Sequence, residues 1–554
     1  MLTANIASHL PAMADRQPDT YAVVVQITGD RLKSVPSLYK TAYTYKQLDE
    51  QSDLIAGGLK AYGIKKGTRT VLMVKPGLDF FALVFALFKL EAILIAVDPG
   101  IGIKNLGKCL AEAEAEAFIG TSAAHIVRLA LGWANKTIDK TVLVGNNPLL
   151  ASLITDLNRI KKLGQQQTFK PAETKATDVA AILFTSGSTG IPKGVIYTHA
   201  NFTAQVDALK QLYRIQPGEV DLATFPLFAL FAPAMGMTSI IPDMDFTRPG
   251  HVNPEKIVDA ITQYKCTTMF GSPALLNRVG RWGVDKKIKL TTLKRVLSAG
   301  APVSVSVLQQ YKVLLNENVQ IFTPYGATES LPVSSIGSDE IINETSQATA
   351  DGKGICVGKP VPGLDIRIIK ITDEAIPVWN VDIELPINQI GEICVQGPQV
   401  TRSYYNRNKE TGLAKIRTEK DFYHRMGDIG YIDSQDRLWF CGRKSHRVVT
   451  ETETLFTICC EGIFNTHPFI FRTALVGVKL KSKIIPVICV EFEKEHKRFN
   501  QVELTKELLV MAQRHNITKN IKLFLFHPGF PVDIRHNAKI NREKLAKWAV
   551  DELT

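Results

Sequence analysis

The sequence predicts an α/β protein with a large N-terminal part and a small α+β unit behind it, and three observations predict this. Helical periodicity in YKQLDEQSDLIAGGLKAYGI, the apolar run RTVLMV, the helical PGLDFFALVFALFKLEA and the run ILIAVDPG alternate helix with strand through the opening of the chain, the order that builds parallel sheets covered by helices. Short apolar runs ending in small or polar residues then recur in VAAILFTSGSTG, EVDLATFPL, CTTMFGSPALL, LKRVLSAGAP and VQIFTPYGATE. Finally, 554 residues and 61.2 kDa exceed what one hydrophobic core serves, so at least two folded units are expected.

Each element follows in order. The opening alternation makes the first layers, and the later strands carry loops at their carboxyl ends, where α/β folds place ligand chemistry. After Gly391 the texture changes to shorter strands with turns, GEICVQGP and GYIDSQDRLWFCGR, which predict an antiparallel portion ending near Arg443. From Lys444 onward, RTALVGVKL and KIIPVICVEF read as strands, while ELTKELLVMAQRH and NREKLAKWAVDEL read as helices. Domains of 1–443 and 444–554 are therefore expected. No Pro/Gly/Ser-rich linker separates them, so the join is expected to be tight.

The composition, 45% hydrophobic and 22% charged, is that of a packed enzyme-sized protein. A net charge of +12 suits anionic partners such as nucleotides or an acidic membrane surface. The basic residues form no block or basic-aromatic array, which argues against nucleic-acid binding. The eight cysteines show no CxxC spacing, and reduced thiols in the cytoplasm are expected. The opening MLTANIASHLPAMADRQPD carries Asp15, Arg16 and Asp19 where a secretory signal needs an apolar run.

The most lipid-like stretch, 80–97, is broken by Lys89 and Glu91, and its core FFALVFALF is far short of the roughly 20 residues that span a bilayer. It predicts a buried helix followed by a strand. No transmembrane segment is expected, and peripheral membrane or pathway-enzyme contact stays compatible with the chain.

The strongest motif is TSGSTGIPKG at 185–194, directly after the apolar VAAILF. Gly187 and Gly190 let backbone N–H groups approach phosphate, the hydroxyls of Thr185, Ser186, Ser188 and Thr189 can donate hydrogen bonds, and Lys193 adds positive charge. A nucleotide-hydrolase P-loop needs GxxxxGK[ST] opening a helix, whereas here Pro192 precedes the lysine and Gly-Val-Ile-Tyr follows it.

With SAGAP at 298–302, YGATE at 325–329, GDIG at 427–430, GRK at 442–444 and KINREKL at 539–545 in the same order, the chain resembles the adenylate-forming enzymes. These are the acyl-CoA synthetases, luciferases and peptide-synthetase adenylation domains. The resemblance implies a large domain of layered α/β subdomains with a small β-barrel-like part, and a small mobile α+β domain. It also implies ATP and Mg²⁺ as cofactors.

Gly300, Ala301 and Pro302 then lie against adenine, with Tyr325 offering an aromatic face and Gly326 beside it. Thr328 bonds the α-phosphate, and Glu329 is a hard oxygen ligand for Mg²⁺. Asp428 accepts from the ribose hydroxyls, and Arg443 holds ribose or phosphate oxygens. Lys539 bridges carboxylate and α-phosphate as charge builds, so Lys539, Thr328 and Glu329 are the expected catalytic residues.

The acyl pocket is expected in 225–237 and 269–276, with Phe228, Phe231, Met235, Met237, Phe270 and Ser272 as its lining, which suits a fatty acid. After the join, KSHRVVTETETLFTICCEGIF has no glycine until Gly462, unlike the KYKGF-type segment of many acyl-CoA ligases. That segment, with FPLFALFAPAMGM and FGSPALLNRVGRWG, resembles the β-lactone synthetases of bacterial olefin biosynthesis, although ETET at 451–454 and Cys459 depart from their usual wording. The resemblance implies a 2-alkyl-3-hydroxy fatty acid whose own hydroxyl expels AMP; a long-chain fatty acyl-CoA or acyl-carrier ligase is the alternative, ahead of a non-catalytic nucleotide-binding protein, against which Lys193, Thr328, Glu329, Asp428, Arg443 and Lys539 are all present.

Overall fold

The computed structural model describes residues 4–27, 41–97, 99–171, 173–184, 192–225, 231–493, 500–532 and 540–554. Among them the strands build two large sheets, a three-stranded sheet and a two-stranded ribbon. The sheet of seven strands runs, edge to edge, Thr155–Asp156, Lys140–Val144, Ala117–Thr121, Arg69–Met73, Ile93–Val97, Val179–Phe184 and Gly194–Thr198. All of its pairings are parallel except the last, where Gly194–Thr198 returns against Val179–Phe184.

Inside an edge strand Ala42–Thr44 that pairs antiparallel with Tyr21–Val25, the larger sheet has a parallel run in which Tyr21–Val25, Thr238–Ile241, Val220–Ala223, Thr268–Phe270, Arg295–Leu297 and Gln320–Ala327 pair in that order. Between the two sheets lies one continuous core containing Val23, Ala223 and Ile241 from one and Leu94, Ile119 and Ala181 from the other. The helix Leu78–Lys89 fills this gap and is buried at every position from Phe80 to Lys89, as a helix hydrophobic all round must be. The one charge in this buried stretch is neutralised in place, because Lys89 Nζ meets Asp49 at 2.6 Å and Asp53 at 2.5 Å on the helix Tyr45–Tyr62. Phe80 to Val97 is thus the predicted buried helix and strand, and no helix among the described residues is long and apolar enough to cross a membrane.

Antiparallel pairing begins earlier than Gly391. Gln320–Ala327 turns back at once into Ser330–Gly337, with Ala327 opposite Ser330. The physical reason is that Thr328 and Glu329, read from sequence as a ligand motif, are also the two-residue tip of a hairpin. Ile355–Pro360, Asp365–Ile369, Gly391–Gln396, Phe422–Ile432 and Leu438–Arg443 continue the antiparallel portion around a core of Val333, Leu364, Ile393 and Leu438.

Behind Val448, Ile470–Leu480 and Lys483–Phe492 pair antiparallel, and Leu523–Phe526 joins in parallel. Alternate residues face opposite ways: Ile488 and Val490 pack with Leu504 and Leu508 of the helix Gln501–Gln513. Val487 and Cys489 pack with Leu545 and Ala549 of the helix Arg542–Leu553. All eight cysteines are buried free thiols.

Candidate active site

The carboxyl ends of the parallel strands of both sheets open onto one cavity of about 690 Å³. Strand Arg295–Leu297 delivers Gly300, Ala301 and Pro302 to its wall, and Gln320–Ala327 delivers Tyr325 and Gly326. Gly300 takes φ +94°, a left-handed turn that a side chain would oppose. A Cβ on Gly326 would stand 2.6 Å from the Ser330 carbonyl oxygen, so the hairpin closes only over glycine.

The next strand pair places Asp428 directly opposite Arg443. Tyr325 Oη donates to Asp428 Oδ2 at 2.6 Å, and Arg443 lies 3.0 Å from Oδ1. A carboxylate offers about four lone-pair sites, so Asp428 keeps acceptor capacity for a ligand. Burial pushes its carboxyl above the usual carboxylate range, with Arg443 drawing it back. Ser298 Oγ, buried in the same wall, has no hydrogen-bond partner among the described residues, which fits a ligand with a polar edge.

At the hairpin tip, Tyr404 Oη donates to Glu329 Oε1 at 2.7 Å, and Lys193 Nζ rests 4.4 Å from the centre of the Tyr404 ring. The backbone holds this arrangement from two sides. Thr401 N donates to the Glu329 carbonyl at 2.9 Å, and Tyr405 N donates to Gly194 O at 2.7 Å on the edge strand beside Lys193. Tyr197 donates its hydroxyl to the Thr328 carbonyl, fixing the other tip residue. Behind them, burial pulls the Lys415 amine down to about 7 as it donates to the Thr401 carbonyl.

The opposite end of the cavity is apolar. Phe88 and Phe231 flank Phe202 at centroid distances of 5.7 and 6.0 Å, and Phe225 lies 5.9 Å from Phe270. Ser272 also lines this end, while its Oγ caps the helix Pro273–Asp285 through Leu275 N.

Thus Lys193, Gly300, Ala301, Pro302, Tyr325, Gly326, Thr328, Glu329, Asp428, Arg443, Phe231, Phe270 and Ser272 converge on one cavity. Met235 and Met237 do not line it. They are buried in the core between the sheets, in the cluster that also holds Tyr45, whose hydroxyl donates to the Met237 carbonyl at 2.9 Å. Thr185, Ser186, Gly187, Ser188, Thr189, Gly190, Phe228 and Lys539 lie outside the described residues. Sequence reasoning missed Tyr404, Tyr197, Phe88 and Phe202. A polar signal existed only for Tyr404, in the RSYYN run beside the antiparallel strands.

The sequence model for an AMP-binding enzyme matches residues 10–405. The chain belongs to the AMP-binding enzyme family. It is an adenylate-forming ligase by family, and its fold is the two-domain α/β architecture of these enzymes. It is 45% identical over 553 residues to "Olefin beta-lactone synthetase" of Xanthomonas campestris pv. campestris, covering 99% of this chain and 98% of that protein. It is 46% identical over 555 residues to the protein of the same name from Stenotrophomonas maltophilia, with the same coverage. Among solved structures, the amide bond synthetase McbA from Marinactinospora thermotolerans superposes with a TM-score of 0.78 at 18% identity, covering 98% of this chain and 99% of that one. ATP-bound MatB from Rhodopseudomonas palustris does so with a TM-score of 0.78 at 18% identity, covering both chains fully, 100% each.

Enzymes of this family use ATP, and the polar end of the cavity is suited to it. No group of three or more His, Cys, Asp or Glu side chains that could cage a metal occurs among the described residues. Glu329 places one carboxylate in the wall at the polar end of the cavity, a donor of the hard oxygen type that suits a divalent cation.

Proposed function

We propose that this AMP-binding enzyme activates a 2-alkyl-3-hydroxy fatty acid with ATP and then closes it to a β-lactone. The observation that carries the reading is a single cavity with hydrogen-bonding and charged groups at one end and an aromatic wall at the other. The 45% identity to an olefin beta-lactone synthetase over 99% of the chain supports the choice of product.

In the first half-reaction a substrate carboxylate oxygen bonds the α-phosphorus, and the bond from that phosphorus to pyrophosphate breaks. Lys193, the hydroxyls of Thr185, Ser186, Ser188 and Thr189, and Thr328 hold phosphate oxygens. Gly300, Ala301, Pro302 and Tyr325 flank the base, and Asp428, steadied by Arg443, accepts from the ribose. Glu329 would hold Mg²⁺, which when bound neutralises phosphate charge. Lys539 adds positive charge where the carboxylate meets the phosphate, a role expected to matter most in a site shielded from water.

In the second half-reaction the 3-hydroxyl oxygen attacks the acyl carbon, the bond from that carbon to the phosphate oxygen breaks, AMP leaves and the hydroxyl proton passes to solvent. The nucleophile is tethered, so it acts at high effective concentration and needs no thiol acceptor. We assign 1–443 and 444–554 as the two domains, with rotation about Lys444 and Ser445 between the steps. Lys444 Nζ, 3.1 Å from Glu392 and 2.9 Å from the Thr372 carbonyl, is a fixed point for such a hinge.

The test is product analysis by mass spectrometry after incubation with Mg·ATP and a 2-alkyl-3-hydroxy fatty acid, with and without CoA. A CoA-independent product lighter than the acid by one water supports the reading. A thioester formed only with CoA would make the chain an acyl-CoA ligase.

A further inference from the structure

We infer that the outer helical face of the seven-stranded sheet is a docking surface for an anionic phospholipid bilayer. The strands Ile93–Val97, Ala117–Thr121, Lys140–Val144 and Thr155–Asp156 step across the sheet in one direction. Right-handed crossovers therefore put the intervening helices Ile103–Glu112, Ser122–Leu131 and Pro148–Leu153 on one face. The packing agrees: Leu106, Leu110 and Phe118 share one cluster with Val127, and Leu143 lies under Leu150. Val142 and Val144, alternating with Leu143, face the large core on the other side.

The helix Ser122–Leu131 has its polarity reversed. A solvated surface helix turns polar residues outward. Here His125 and Arg128 point inward, His125 Nε2 lying 3.0 Å from the Val142 carbonyl oxygen and the Arg128 guanidinium 5.5 Å over the Phe118 ring. Outward stand Ala123 and Ala130, with Ile126, Leu129 and Leu131 at 54%, 58% and 54% exposure. On the neighbouring helix Leu149 and Leu153, one turn apart, are 76% and 79% exposed, and Ile103 on the third helix is 58% exposed.

The exposed charges on these three helices are Lys104 and Lys108, and none of their exposed residues is acidic. An apolar face flanked by cations, on a chain of net charge +12, is complementary to a lipid interface carrying anionic headgroups. A second copy of the same face would instead bring Lys104 and Lys108 toward their own equivalents. The face lies outside the candidate active site, so this inference stands independently of the lactone reading.

The experiment is flotation of the full chain with vesicles of phosphatidylglycerol and phosphatidylcholine in equal parts, and with phosphatidylcholine alone. The chain floats with the anionic vesicles, less so at high salt. A variant combining Ile126→Ser, Leu129→Ser, Leu149→Ser and Leu153→Ser loses roughly tenfold or more of the bound fraction. A second variant, Lys104→Glu with Lys108→Glu, keeps the apolar face and loses binding to the anionic vesicles. Both retain wild-type ATP–pyrophosphate exchange. Failure of the wild-type chain to float, or flotation of either variant equal to that of the wild-type chain, would overturn the inference. So would a wild-type dimer in sedimentation that the serine variant converts to monomer without any vesicle binding.

Discussion

The two ends of the cavity are built on opposite principles. At the polar end, short contiguous motifs on the strands and one hairpin tip present backbone and charged groups, and the charged side chains are held by partners: Tyr325 and Arg443 on Asp428, Tyr404 on Glu329. At the apolar end, aromatic side chains arrive from separate segments, Phe88 from a core helix, Phe202 from another and Phe270 from a strand end. Polar recognition needs fixed partners, so its residues cluster in the chain. Apolar recognition needs only shape, so its residues can come from anywhere.

If that contrast holds, substitutions at the two ends produce different kinetics. Lys539→Ala should have the largest effect, lowering the rate of pyrophosphate release by about 10²–10³-fold, the scale of losing a group that meets developing charge. Single-turnover pyrophosphate assays measure this, and a full wild-type rate would remove Lys539 from catalysis.

Asp428→Asn should raise the KM for ATP about tenfold or more, as expected for a hydrogen bond to a charged group. Because burial raises the Asp428 carboxyl, acidification protonates it at a higher pH than an exposed aspartate. ATP affinity in the wild type therefore falls as pH drops through that raised value, and the Asn variant lacks this acid limb. Titration of the KM for ATP against pH checks both points.

Tyr404→Phe removes the hydroxyl on Glu329 but keeps the ring under Lys193, so a loss of roughly tenfold in the adenylation rate is expected. Phe88→Ala should act at the other end alone, raising the KM for a long-chain acid by about tenfold while the KM for ATP stays within error. Met235→Leu, in the core, should have the smallest effect, under about 1.5 kcal/mol in stability and none on acyl preference. A change in chain-length preference on Met235→Leu would show that the pocket extends further than the lining side chains indicate.

The same contrast explains what was legible in the sequence. The strands leading to SAGAP, YGATE and GDIG, and the buried helix of 78–89, follow from runs of apolar residues with a definite period. The residues of the polar end stand in ordered motifs, and among the described residues they line one cavity. The apolar end was legible only in part. Phe231 and Phe270 stand beside recognisable loops, whereas Phe88 and Phe202 look like ordinary core, which they also are. Met235 and Met237 were misplaced for the same reason, since an apolar side chain in sequence does not declare which way it points. The early onset of the antiparallel portion was hidden because the tip is Thr328-Glu329 rather than the Asn-Gly or Asp-Gly of a typical tight turn.

The central claim is that one cavity hosts both activation and an internal acceptor. The most direct measurement compares pyrophosphate and AMP release from a 2-alkyl-3-hydroxy fatty acid and from the same acid lacking the 3-hydroxyl, both without CoA. The account predicts pyrophosphate release from both acids and multiple turnovers of AMP release from the hydroxy acid alone. Equal AMP turnover from the deoxy acid, or none from either until CoA is added, would contradict it.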